Sequence, residues 1–152
     1  MQGKYINIYK SARLTAGLSQ ERAAEGLHLS VESLKGYETG LRVPCNAVVV
    51  QMVTLYDRDC LALMHLMQTA SPLGVLPRDL EMQSLPAAVL QLVNRIFDFS
   101  EKHRDTQLMH IAEDSIIDAE ERPHFDEIVA ELQGIIGAAF VVRYADGIGA
   151  RP

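Results

Sequence analysis

Glycine and proline are spread so unevenly along this chain that they set its layout before any other feature is read. Gly17, Gly26, Gly36, Gly40 and Pro44 cut the first 45 residues into pieces about ten residues long, whereas neither residue occurs between Ala87 and Arg122. Pieces that short admit brief helices joined by tight turns, and an uninterrupted run admits a long helix. The N-terminal part should therefore be a cluster of small helices and the C-terminal part something longer and simpler.

Local signals fill in that outline. Ser19 and Ser30 each precede a helix-forming stretch and read as N-caps, and Gly40 sits where a helix should stop in a left-handed residue. Val48, Val49, Met52, Val53 and Tyr56 continue at helical spacing, and Asp57 reads as the cap of a further short helix through Leu66. About five short helices are thus expected by residue 70. A linker with Pro72, Gly74 and Pro77 follows, over residues 69–84. Beyond it Leu85, Val89, Leu92, Ile96 and Phe99 recur at steps of 4, 3, 4 and 3, with Leu90, Val93 and Phe97 alongside. Pro86 opens this helix, which is expected to run on toward Ala112. Phe125, Val129, Leu132, Ile136 and Ala139 repeat the same steps and mark a second long helix. Only Ala139 to Tyr144 is ambiguous with a strand. The expected organisation is all-α: residues 1–68, the linker 69–84, a helical region 85–145 and a fraying tail 146–152.

Composition narrows the function. At 152 residues and 48% hydrophobic, the chain is neither disordered nor low in complexity, and it has no run of about 18 apolar residues. With no signal-peptide pattern and only Cys45 and Cys60, a soluble cytoplasmic protein is expected. The net charge of −6 argues against a general nucleic-acid binder, yet it is not uniform. Residues 1–60 carry seven basic and six acidic side chains, the remainder seven and fourteen, so an anionic partner should meet the N-terminal part.

Within that part, the piece Gln20–Leu27, the turn His28–Ser30 and the piece Val31–Thr39 are spaced as two helices crossing at a tight turn. Ala24 falls where close approach demands a small side chain, and Leu27, Leu29, Leu34 and Tyr37 supply the apolar contacts. The string Ala16-Gly17-Leu18-Ser19-Gln20-Glu21, then Ala24, Leu27, Leu29-Ser30, Leu34, Tyr37-Glu38, Gly40 and Pro44, resembles the Cro/repressor-type (XRE-type) helix-turn-helix domain from about Ile8 to Tyr56. The resemblance implies a five-helix lambda-repressor-like DNA-binding domain over residues 1–68. It makes Gln20 a phosphate ligand that braces the recognition helix, and Ser30 a cap that also meets phosphate. It places Val31, Glu32 and Gly36 toward bases, flanked by Ser33 and Lys35. None of the three base-facing positions carries Arg, Asn or Gln, so direct readout should be weak. Lys35 and Arg42 are candidate phosphate ligands, with Lys10 and Arg13 on the first helix.

The implied function is a non-enzymatic transcriptional regulator, more a repressor than an activator, bound to double-stranded DNA as a homodimer. Leu85, Val89, Leu92, Ile96 and Phe99 with Phe125, Val129, Leu132 and Ile136 are the expected dimer contacts, and Gly134 and Gly137 allow close helix approach. The competing reading is a protein-interaction module of a mobile element or toxin-partner system that uses the same fold.

Other chemistry finds little support. His103, His110 and Glu113 lie on one helix face but supply too few ligands for a metal, so neither metal nor cofactor is expected. Residues 114–121 fail as a calcium loop, because the spacing puts His110 and Ala112 at ligand positions. Asp118 with Glu121 reads as a capping box, though Pro123 is an alternative helix start. Cys45 and Cys60 read as small buried fillers. No nucleophile motif, phosphate loop or dinucleotide fingerprint occurs.

Overall fold

The computed structural model describes residues 7–76 and 80–145; Pro77 of the expected linker and the expected tail lie outside them. The chain divides into two compact units, residues 1–72 and 73–152. Among the described residues there are eight α-helices, one 3-10 turn and no strand.

The first unit holds α1 (Ile8–Thr15), α2 (Gln20–Gly26), α3 (Val31–Glu38), α4 (Asn46–Tyr56) and α5 (Cys60–Ala70). The first three helices begin at side-chain caps. Asn7 accepts from the backbone N–H groups of Tyr9 and Lys10 at the start of α1, Ser19 from Arg22 on α2, and Ser30 from Ser33 on α3. Gly40 ends the α3 region at φ +78°, a conformation that a side chain would strain. One expectation is corrected. Asp57 adopts φ +50° and closes α4, and α5 starts only at Cys60, because a short polar residue is tolerated in the left-handed stop of a helix. The core is continuous: Tyr9, Ala12, Ala23, Ala24, Leu27, Leu34, Val49, Met52, Tyr56 and Leu61 are all buried together.

Polar groups inside this unit are mostly paired. The Tyr9 hydroxyl lies 2.7 Å from Nδ1 of the buried His65, and the His65 Nε2 lies 3.1 Å from Asn46 Oδ1, which ties α1, α5 and the first residue of α4 together. Burial lowers the His65 pKa, which favours the neutral ring in the folded state. The buried Tyr56 hydroxyl has no hydrogen-bond partner among the described residues. Its pKa is pushed up to about 12, chiefly by burial and further by the charge of Glu38.

The second unit is built from α6 (Leu85–Glu101), α7 (Arg104–Ile111) and α8 (Arg122–Tyr144), with α6 and α8 packed on each other and α7 against both. Pro86 and Pro123 occupy the first turns of α6 and α8, where a missing N–H is harmless. Asp118 and Glu121 do form a reciprocal pair. Asp118 Oδ1 accepts from the Glu121 N–H at 2.8 Å, and Glu121 Oε2 from the Asp118 N–H at 3.3 Å, one turn ahead of α8. Two expectations change. The ambiguous run Ala139–Tyr144 completes α8, with Val141 buried. The helix expected to reach Ala112 instead breaks at Lys102 and His103, the latter at φ +53°. The break is held from outside the helix: Arg104, buried beneath α8, donates to Glu127 and Glu131, and Lys102 donates to Glu131. Those hydrogen bonds, from Arg104 first and then Lys102, hold the Glu131 carboxyl below its ordinary pKa.

Candidate nucleic-acid interface

The surface of interest is the outer edge of α2, the turn and α3. Ala23 and Ala24 are essentially inaccessible, which lets α2 and α3 approach closely over Leu27 and Leu34. The turn is fixed by backbone bonds from the His28 N–H to the Glu25 carbonyl and from the Leu29 N–H to the Ala24 carbonyl, with His28 at φ +55°. Ser30 then caps α3 doubly, its oxygen accepting from the Ser33 N–H and its hydroxyl donating to Ser33 Oγ at 2.9 Å. The result is a helix whose first turn presents Val31, Glu32 and Lys35 to solvent, with Ser33 half-buried beside them.

Behind that edge lies a buried ion pair. Arg13 of α1 donates through Nε and Nη2 to the two carboxylate oxygens of Glu38 at the end of α3, and Nη1 donates to the Leu18 carbonyl at 2.6 Å. Gln20, the first residue of α2, donates its amide to Glu38 Oε2 at 2.8 Å. Asn7 adds a bond from Nδ2 to the Tyr37 carbonyl at 2.9 Å. The two-pronged Arg13–Glu38 contact fixes both partners in direction as well as distance, and the Glu38 hydrogen bond raises the Arg13 pKa further. Side chains from α1, its N-cap and α2 thus converge on the C-terminal end of α3 and set its position relative to α2.

The residues singled out from sequence divide among several environments. Gln20 is half-buried on Glu38, and Ser30, Val31, Glu32, Lys35 and Arg42 are exposed. Gly36 is buried: the Arg42 stem passes over it, with its Cδ 3.6 Å from where a Cβ would stand. Gly36, expected to face bases, thus lies beneath the Arg42 stem in this structure. Arg42 is anchored by its own N–H to the Gly36 carbonyl at 3.1 Å, which leaves its head at the surface beside α3. Lys10 is exposed, but Arg13 is taken up by Glu38, so it is not a phosphate ligand in this arrangement. The role of Glu38 is set by partners that the sequence does not place beside it. Beyond its place in the string that resembles the family, its signal is an acidic residue in the last turn of a helix, where the helix dipole disfavours it unless a cation answers.

In the second unit, Leu92, Phe99, Phe125, Val129 and Leu132 are half-buried, whereas Leu85, Val89 and Ile96 on α6 and Ile136 on α8 stand exposed. Gly134 is used within the chain: a methyl there would collide with the Arg95 guanidinium. Gly137 is buried. His110 and Glu113 are both largely exposed and 3.4 Å apart, and His103 is exposed at the helix break. Among the described residues, no group of three His, Cys, Asp or Glu is placed to hold a metal ion. Cys60 is buried as expected, but Cys45 is exposed at the start of α4. No described helix is long and apolar enough to cross a membrane.

Two short helices locked across a tight turn, with the second presenting its N-terminal edge, define a helix-turn-helix domain. Comparison with known families agrees: residues 10–66, a little over a third of the chain, match the family model described as a helix-turn-helix domain. No curated protein and no solved structure matches the chain.

Proposed function

We propose that this chain is a DNA-binding transcriptional regulator of the Cro/repressor type that lays the N-terminal edge of α3 in the major groove. The observation that carries this reading is the exposed first turn of α3, capped by Ser30 and held against α2 by the Arg13–Glu38–Gln20 bracket. In this role Lys35 and Arg42 meet phosphates of the DNA backbone. The free amide N–H of Gln20 adds a further phosphate contact, while Ser30 and Ser33 lie at the backbone edge. Val31 packs on a thymine methyl, and Glu32 accepts from a cytosine amino group. With so few base contacts, specificity comes from two half-sites read by a homodimer, and occupancy of an operator represses.

Binding of the purified protein to duplex fragments from its own upstream region, at two salt concentrations, tests the reading. Lys35→Ala is expected to weaken all sequences alike and to reduce the salt slope by about one. Glu32→Ala is expected to change base preference at one position, by about 1–3 kcal/mol. Identical behaviour of the two variants would overturn these roles. The net charge of −6, together with the lack of Arg, Asn or Gln on the outer face of α3, favours a second reading, a helix-turn-helix module that binds protein. Duplex affinity that is flat across sequences and salt would decide for it.

A further inference from the structure

The nine residues that the sequence marks as one dimer surface do two different jobs. Leu92, Phe99, Phe125, Val129 and Leu132 are half-buried, and the fully buried Ala88, Ile128, Ala138 and Val141 mark the sides of α6 and α8 that face the interior of their unit. The rest of the apolar surface of α6 is uncovered. Leu85, Val89, Leu90, Val93, Ile96 and Phe97 are between 38% and 66% exposed. At 100° per residue they sweep about 140° of the helix circumference, with only Pro86 and Ser100 between them and no charge inside the arc.

We infer that this stripe is the seam for a second copy of the chain, crossed antiparallel at Val93. The inference deepens the two-copy reading above and is independent of whether DNA is bound. Area is the first argument. Six such side chains, at roughly 150–200 Å² each when fully exposed, leave on the order of 500 Å² of apolar surface open to water. That is at the upper end of what a monomer shows, and it matches the apolar share of the roughly 800 Å² that each partner contributes to a standard dimer.

Shape is the second argument. A two-fold axis at Val93 sets Val89 of one copy against Phe97 of the other and Leu90 against Ile96, so the bulkiest side chain meets one of the smallest. Parallel pairing would instead oppose Phe97 to Phe97 and leave a hollow at Val89. Charge gives the third. The acidic residues of α6, Asp98 and Glu101, both lie at its C-terminal end and are exposed, while its only basic residue, Arg95, lies across Gly134 of α8. Glu101 borders the stripe while Asp98 lies on the far side of the helix, so parallel helices would bring the two Glu101 carboxylates together. An antiparallel pair places each Glu101 beside the partner helix's N-terminus, where the helix dipole is positive.

Cysteine cross-linking of the full chain in a Cys45→Ser background tests the seam, with sedimentation run alongside. Val93→Cys is expected to give a disulfide-linked dimer on mild oxidation, and Leu85→Cys is not, because the antiparallel crossing carries the two copies of residue 85 far apart. Phe97→Glu, at a position too exposed to disturb the fold, is expected to weaken self-association by roughly tenfold or more. Equal cross-linking at both positions would overturn the antiparallel seam. A dimer by sedimentation with no link at residue 93 would overturn the seam and leave the two-copy reading standing. A monomer at tens of micromolar would overturn both.

Discussion

The two units solve the same problem, burying helix faces, to different degrees. In the first, ten apolar residues from all five helices close into one core, and its charged interior residues, Arg13 and Glu38, are matched to each other. In the second, Ala88, Val141 and Ala145 form a small buried cluster, the buried Arg104 is paired to partly exposed carboxylates, and α6 keeps an apolar stripe in water. The first unit closes a core across all its helices, and the edge proposed to meet DNA, with Ser30, Glu32 and Lys35, is polar. The second leaves an apolar face over, which under the proposal above is an association surface and differs physically from a polar edge.

Breaking the buried pair should give the largest effect. Glu38→Ala strands the Arg13 guanidinium in the core and is expected to lower the stability of the first unit by about 3–5 kcal/mol in urea unfolding. Glu127→Ala is the counterpart in the second unit. Its carboxylate is 56% exposed and Arg104 keeps Glu131, so the unfolding midpoint should barely move. Similar losses from the two would erase the contrast.

Truncating apolar side chains sharpens it next. Leu34→Ala opens a cavity in a closed core and should cost about 2–5 kcal/mol. Leu90, 62% exposed, should tolerate alanine within about 0.5 kcal/mol of folding stability in dilute solution. Its effect should surface instead as weaker self-association at high concentration. If Leu90→Ala unfolds the chain, α6 is already covered on that side.

The smallest expected effect is with pH. Burial holds the His65 imidazole below the ordinary 6.5, so its contribution to stability is present in full above that value. The contribution is lost as pH falls from 6.5 through the lower folded pKa, where the unfolded chain binds the extra proton. The first unit should therefore unfold more readily at pH 5 than at pH 7.5, and His65→Gln should flatten that slope in thermal melts. An unchanged slope would assign the acid sensitivity elsewhere.

Much of the layout was legible because it is local chemistry. Ser19 and Ser30 cap because a hydroxyl next to unpaired N–H groups has one good use, and Gly40 ends α3 because a left-handed residue there strains any side chain. The break at His103 was not legible, since neither glycine nor proline marks it and the groups that hold it, Glu127 and Glu131, are more than twenty residues away. The same reason hid the burial of Arg13 and Gly36. A lone arginine and a lone glycine on a helix look like surface until the partner, Glu38 or the Arg42 stem, is known.

The sequence by itself determined the all-helical class, the small-helix and long-helix halves, and the two helices of the candidate DNA edge. These follow from spacing, capping and backbone freedom within a few residues of each other. Only the tertiary structure decided which side of α6 is used up within its own unit and which is left over, and which cations of the first unit remain at the surface. Periodicity says that a face is apolar or charged. What meets that face depends on residues that only folding brings within contact distance.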